Sequence, residues 1–196
     1  IETCRLPGET DPKAALSPDT AFISAIGITY RHGDELIHQQ FSIPDGTFDL
    51  GIEAIIEAEV KVLADYLNFQ QSLWSWDSEA INVIAGHNFY NFDAPFIRSR
   101  YRRSRDKIQP LLTKYAAINA DKMQQGSHEV NFTSASVNGS PPKYTPFYWG
   151  GWQIVDTYLL AGAHDKINAC LSGYSLKVVP YELGLIKESR DDLDHK

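Results

Sequence analysis

A short apolar run that ends in a loop and re-emerges as an amphipathic helix limits this chain more than any other feature. Ile81-Asn82-Val83-Ile84-Ala85-Gly86 has the length and β-branched content of a strand. Downstream, Phe96, Ile97 and Tyr101 recur at helical spacing on one face. Between them lies His87-Asn88-Phe89-Tyr90-Asn91-Phe92-Asp93-Ala94-Pro95, which sets one carboxylate at the junction and a proline in the first helical turn. A strand that feeds directly into a helix is the unit of α/β sheets, and such sheets gather active-site groups where strands end. Asp93 has two readings at this point: a helix N-cap, or an acid placed for chemistry.

The flanking segments extend the same architecture. Ala21 to Tyr30 and Glu35 to Ile43 are rich in β-formers and are separated by His32-Gly33-Asp34, which predicts an antiparallel hairpin. After Pro44-Asp45-Gly46, the positions Ile52, Ile55, Ile56, Leu63, Tyr66 and Leu67 follow a helical period to about Phe69, with Glu53, Glu57, Glu59 and Lys61 mostly opposite. Lys107 to Ala117 reads as helical, and residues 118–147 lose periodicity and collect Gly, Ser, Asn and Pro, the mark of an insertion or mobile loop. Order returns with a strand over Gly151 to Thr157, and Leu176, Val179 and Leu183 predict a helix over 175–183 that carries Pro180 and stops at Gly184. The order of strand, hairpin, helix, strand and helix predicts an α/β sheet flanked by helices, as one domain over residues 1–196. The opening Ile1-Glu2-Thr3 reads as the cut end of a strand.

Composition narrows the class. Hydrophobic residues make up 43% and charged residues 22%, which suits a globular domain and not a disordered tail. No apolar run reaches membrane-spanning length, and the start lacks the layout of a signal peptide, so a soluble, intracellular protein with no membrane partner is expected. Cys4 and Cys170 have no metal-site or redox spacing and read as ordinary thiols. A net charge of −7 argues against a protein that coats nucleic acid nonspecifically. Six bases nevertheless fall between Arg98 and Lys107, either a solvated helix face or a set of phosphate contacts directly after Asp93.

Glu2, Asp93 and Asp156 all fall at predicted strand ends or strand-to-helix turns. Carboxylates in such positions suit Mg²⁺ or Mn²⁺, hard cations that can stabilise attacking and leaving oxygens in phosphodiester cleavage.

The same residues carry a resemblance. Ile1-Glu2-Thr3 is similar to the tail of the Asp-Ile-Glu-Thr first motif of the 3′–5′ exonuclease domain of family B DNA polymerases. Asn88-Phe89-Tyr90-Asn91-Phe92-Asp93 resembles the second motif of that family, an Asn, three residues, an aromatic and an Asp, and Ala94-Pro95-Phe96-Ile97 with Arg100 continues the likeness. Ile154 to Tyr158, Leu171 to Leu176 and Glu182 to Leu185 are similar to the stretch that leads towards the third motif. The resemblance implies a ribonuclease H-like mixed sheet flanked by helices, with the hairpin and a long insertion at 118–147 between the second motif and the later strand. It also implies two divalent metal ions, Mg²⁺ or Mn²⁺, with Glu2 and Asp93 as catalytic metal ligands. Thr3, Asn88, Phe92 and Arg100 would face nucleic acid, and Asp156 would be structural. The implied activity is proofreading: removal of nucleotides from single-stranded DNA or a mismatched primer 3′ end, with a polymerase domain in the same chain.

The third motif, a Tyr, three residues and an Asp, does not occur downstream of the second, where the family carries it, and the leading Asp of the first is not among these residues. The expectation is therefore a domain truncated at both ends and inactive alone. A stand-alone exonuclease of the same superfamily and a catalytically inactive nucleic-acid-binding module are the rival readings. His87 reads as a packed histidine and not a base, and the tryptophans read as packing residues.

Overall fold

A computed structural model describes residues 1–131, 143–168, 170–176 and 178–185. Their strands are β1 (Glu2–Arg5), β2 (Ala21–His32), β3 (Glu35–Ser42), β4 (Val83–Gly86), β5 (Met123–Gln125), β6 (Val130–Asn131), β7 (Lys143–Tyr144), β8 (Phe147–Trp149) and β9 (Gln153–Asp156). The helices are α1 (Ile52–Ser72), α2 (Asp93–Arg103), α3 (Arg105–Ile108), α4 (Lys114–Asp121), α5 (Thr157–Asn168) and α6 (Val179–Glu182). The protein is thus a mixed α/β protein, with its strands divided among several small sheets.

The expected hairpin forms. β2 and β3 pair antiparallel from Ala25↔Ser42 to His32↔Glu35, and Gly33, at φ 60°, supplies the left-handed backbone the tight turn requires. β1 adds to the other edge of β2 through Arg5↔Ala21, Cys4↔Phe22, Thr3↔Ile23 and Glu2↔Ala25, with a bulge between Glu2 and Thr3. The helical period read from Ile52 onward becomes α1, which buries Ile55, Val60, Leu63 and Leu67. These side chains join Phe22, Ile23, Phe96, Ile97, Tyr101 and Trp149 in one apolar core shared by α1, β2, α2 and β8.

A buried ion pair locks three of these elements together. Glu59 of α1 is fully enclosed; it accepts Arg100 Nε at 2.8 Å and Nη2 at 2.5 Å, and the Ile23 N–H at 2.7 Å. The remaining guanidinium nitrogen, Nη1, donates to the Pro18 carbonyl at 3.1 Å. Charges enclosed this way persist because they are paired and each guanidinium nitrogen has an acceptor.

Three expectations are corrected. The strands do not form one sheet: among the described residues, β1–β2–β3 and the parallel pair β4–β9 share no strand pairing. The stretch 118–147 is not uniformly irregular, since α4 runs to Asp121, β5 pairs with β8 and β6 with β7 as nested antiparallel ladders. Residues 132–142 of that stretch lie outside the described residues. Finally, among the described residues the helix expected over 175–183 is only α6, because Pro180 has no N–H to give and is accommodated in a first turn, not an interior one. No described helix is long and apolar enough to cross a membrane.

Candidate functional site

β4 and β9 pair in parallel, in register from Val83↔Gln153 to Gly86↔Asp156, so their C-terminal ends lie side by side. The loop after Gly86 and the start of α5 therefore leave the sheet together. Gly86 is required there by space: a Cβ on it would sit 2.5 Å from Phe89 Cδ2. Asn88 adopts φ 58°, a left-handed conformation that asparagine tolerates better than most residues. Its carbonyl then accepts the N–H groups of Asn91 (3.2 Å) and Phe92 (3.0 Å), and the Phe89 carbonyl accepts that of Ala94 (3.0 Å), winding the loop into α2.

Asp156 holds this loop in place. Its buried carboxylate accepts the N–H groups of Asn88 at 2.9 Å, Tyr90 at 3.0 Å and Tyr158 at 2.9 Å. One side chain thus caps α5 and braces the turn that carries Asn88 and Asp93, a structural role. His87 packs edge-on against Tyr158, at 5.6 Å between ring centroids, with Nδ1 3.1 Å from Thr157 Oγ1. Burial pushes its pKa below the usual imidazole value, against the opposing pull of Asp156, a Tyr174 backbone contact and Asp93. Burial thus favours the neutral ring, and the side chain packs against α5.

Asp93 is the first residue of α2, and the cap position itself is held by Phe92, which makes no side-chain capping bond. The Asp93 carboxylate instead faces the other end of the chain: Oδ1 accepts the Ile1 ammonium at 2.6 Å, across 92 positions. The Ile1 side chain is only 2% exposed, which anchors the start of β1 beside Asp93, whose own carboxylate keeps 18% exposure. Glu2 follows directly and is exposed. Glu2 is thus one residue along the chain from the Ile1 nitrogen that meets Asp93. Behind them lies Tyr66 of α1, whose phenol is held well above its usual value by burial and then by the negative charge of Asp93.

The other expected residues divide. Phe92 is half-buried and packs on Phe96 at 5.6 Å, within the same turn. Thr3 Oγ1 donates to the Ala15 carbonyl at 2.6 Å, so its hydroxyl is committed to the 3-10 turn over Pro12–Leu16, and its main chain pairs with Ile23. The Asn88 side chain accepts from Asn91 Nδ2 at 3.2 Å and stays at the rim. Arg100 is a correction: it is 3% exposed and saturated by Glu59 and Pro18, so it faces the core and not nucleic acid. The rest of the basic run is not buried, and Arg102, Arg103, Arg105 and Lys107 are exposed. Arg98 donates to the Met123 carbonyl, Arg103 pairs with Asp19 and Arg105 with Asp121, whereas Arg102 and Lys107 form no ion pair among the described residues.

Two features of the site have no local signal in the sequence. The Glu59 partnership depends on a contact across 41 positions. The second is a brace from β7, where Asn91 Nδ2 donates to the Lys143 carbonyl at 3.0 Å and Tyr90 stacks on Tyr144 at 5.3 Å. No protein-family model, curated protein or solved structure matches this chain.

Proposed function

We propose that these residues form part of a metal-dependent 3′–5′ exonuclease of ribonuclease H-like fold, the proofreading domain of a family B DNA polymerase. Its substrate is single-stranded DNA or a mismatched primer 3′ end. The observation that carries this reading is the meeting of β1 with the start of α2, in which Ile1, the residue before Glu2, touches Asp93 across 92 positions. The tightly wound Asn88–Asp93 loop beside the β4 and β9 ends supports it, since catalytic groups of α/β sheets gather there.

For the two divalent ions of this reading the fit is partial. Carboxylate oxygens are the donors a hard cation takes, and the Asp93 carboxylate keeps 18% exposure. Among the described residues, however, no group of three or more His, Cys, Asp and Glu converges as a metal cage. Glu2 and Asp93 do not suffice to hold two ions by themselves.

The test uses a 5′-labelled primer with a mismatched 3′ end. The 196-residue chain is expected to leave it intact with Mg²⁺ or Mn²⁺. In a longer polymerase containing these residues, Asp93→Ala abolishes excision and preserves primer extension. Excision at the parental rate by that variant, or robust digestion by the short chain, overturns the proposal.

A further inference from the structure

The segment between α1 and β4 folds over the starts of β4 and β9, at the far end of that strand pair from Gly86 and Asp156. Asn82 ties it down: Oδ1 accepts the Ser75 N–H at 2.7 Å, and Nδ2 donates to the Ser75 carbonyl at 3.0 Å. Ser75 Oγ accepts the Asp77 N–H at 3.3 Å, and Asp77 Oδ1 accepts the Glu79 N–H at 3.0 Å. The loop encloses a pocket of about 550 Å³, lined by Trp74, Trp76, Asp77 and Ile81 among others.

Its two indole walls are held from behind. Trp74 meets Trp152 edge-on at 5.1 Å and lies against Gly151, where a Cβ would come within 2.5 Å of the Trp74 ring, so only glycine lets that wall stand. Trp76 meets Tyr115 at 4.8 Å. The two indoles have ring centroids 6.2 Å apart and planes inclined by 57°. Trp76 nevertheless remains 68% exposed, which the packing role expected for the tryptophans does not account for. The lining also selects a ligand. Both ends of the Asn82 amide and the Ser75 hydroxyl are engaged within the loop, which leaves a hydroxylated ligand such as a sugar little to bond beyond Gln153 and Asp77. No Lys, Arg or His lines the pocket, and none of the chain between Lys61 and Arg98 is Lys or Arg, which disfavours a phosphate or a nucleic acid. Two aromatic rings remain, with one carboxylate, Asp77, that is exposed and forms no ion pair among the described residues.

We propose that this pocket binds a methylated ammonium group, held by Trp74 and Trp76 and neutralised by Asp77. Aromatic rings attract a cation through their quadrupole when it lies within about 6 Å of the ring centroid. With centroids 6.2 Å apart, one ammonium is in range of both indoles. A methylated cation suits the site better than a bare one, because it has few or no N–H donors to satisfy and its methyl groups gain contact with Ile81 and the rings. The same chemistry is carried by a free quaternary amine and by a methylated lysine side chain. The pocket lies at the other end of β4 from Asp93, and the inference does not depend on the nuclease reading.

Titration of the 196-residue chain with tetramethylammonium chloride at constant ionic strength, followed by the indole N–H resonances of Trp74 and Trp76, tests it. Saturable shifts with a Kd of about 1 mM are expected, and tert-butanol, an uncharged group of similar shape, should bind about tenfold more weakly. Trp76→Ala should weaken binding about tenfold, read at Trp74, and Asp77→Asn about threefold. Both replace exposed side chains, and Asn keeps the Oδ1 acceptor for the Glu79 N–H, so an unchanged Tm shows that the fold is retained. Choline and N-acetyl-trimethyllysine amide then separate the sources: tighter binding of the lysine derivative assigns a methylated side chain, and equal or weaker binding a free quaternary amine. No saturation by about 20 mM, shifts matched by tert-butanol, or undiminished binding by either variant overturns the proposal.

Discussion

Removing Glu59 tests what holds α2, and with it Asp93, on the core. Glu59→Ala deletes the acceptor of Arg100 Nε and Nη2 and of the Ile23 N–H, bonds of 2.8, 2.5 and 2.7 Å. Arg100 is 3% exposed and cannot reach water without opening the interface. Stranding one member of a buried ion pair costs about 3–5 kcal/mol, and the orphaned Ile23 N–H adds about 1–3 kcal/mol. The expected loss is about 5 kcal/mol, a third or more of the stability of an ordinary domain. Glu59→Leu combined with Arg100→Met removes both charges and leaves mainly the Ile23 N–H unpaired, so it is expected to cost only about 1–3 kcal/mol. Urea unfolding followed by far-UV circular dichroism measures both, with an unchanged m-value as the check that the unfolding reaction is the same. A loss below about 1 kcal/mol for Glu59→Ala would show that the pair behaves as an exposed one. A double variant as unstable as the sum of its single variants would show that the two side chains are not coupled, and either result refutes the reasoning.

Three other substitutions probe the loop, α1 and the surface. Asp156→Asn keeps one acceptor oxygen but loses the charge that holds the Asn88, Tyr90 and Tyr158 N–H groups; a loss of about 2 kcal/mol is expected, with faster exchange of the Asn88 and Tyr90 amides. Gln70→Leu removes a buried donor that has no partner among the described residues, so in the 196-residue chain it is expected to be neutral or to stabilise by about 1 kcal/mol, read as Tm. Asp121 is held at about 2, below its ordinary 3.8, chiefly by the Arg105 hydrogen bond. Because its folded pKa is depressed, its contribution is present above the ordinary value and is lost as pH falls towards the folded one. The Tm difference between the parent and Asp121→Asn should therefore shrink between about pH 5 and about pH 2.5.

What the sequence determined by itself is what short-range periodicity can encode. The β2–β3 hairpin, the buried face of α1 and the passage from β4 through Asn88–Phe92 into α2 are each set by alternation or helical spacing within about a dozen residues. The position of Asp93 at the head of a helix was legible for that reason, as was the stop at Gly184, whereas the late start of α6 at Val179 was not. Tertiary structure alone decided which polar groups meet. Arg100 belongs to the same basic run as Arg102, yet one is buried against Glu59 and the other exposed, because only the packing of α2 on α1 tells the two faces apart. The contact of Ile1 with Asp93 and the grip of Asp156 on Asn88 join residues 92 and 68 positions apart. Such pairs leave no local pattern, since each depends on where whole strands and helices come to rest, and that is settled by burial of the shared core.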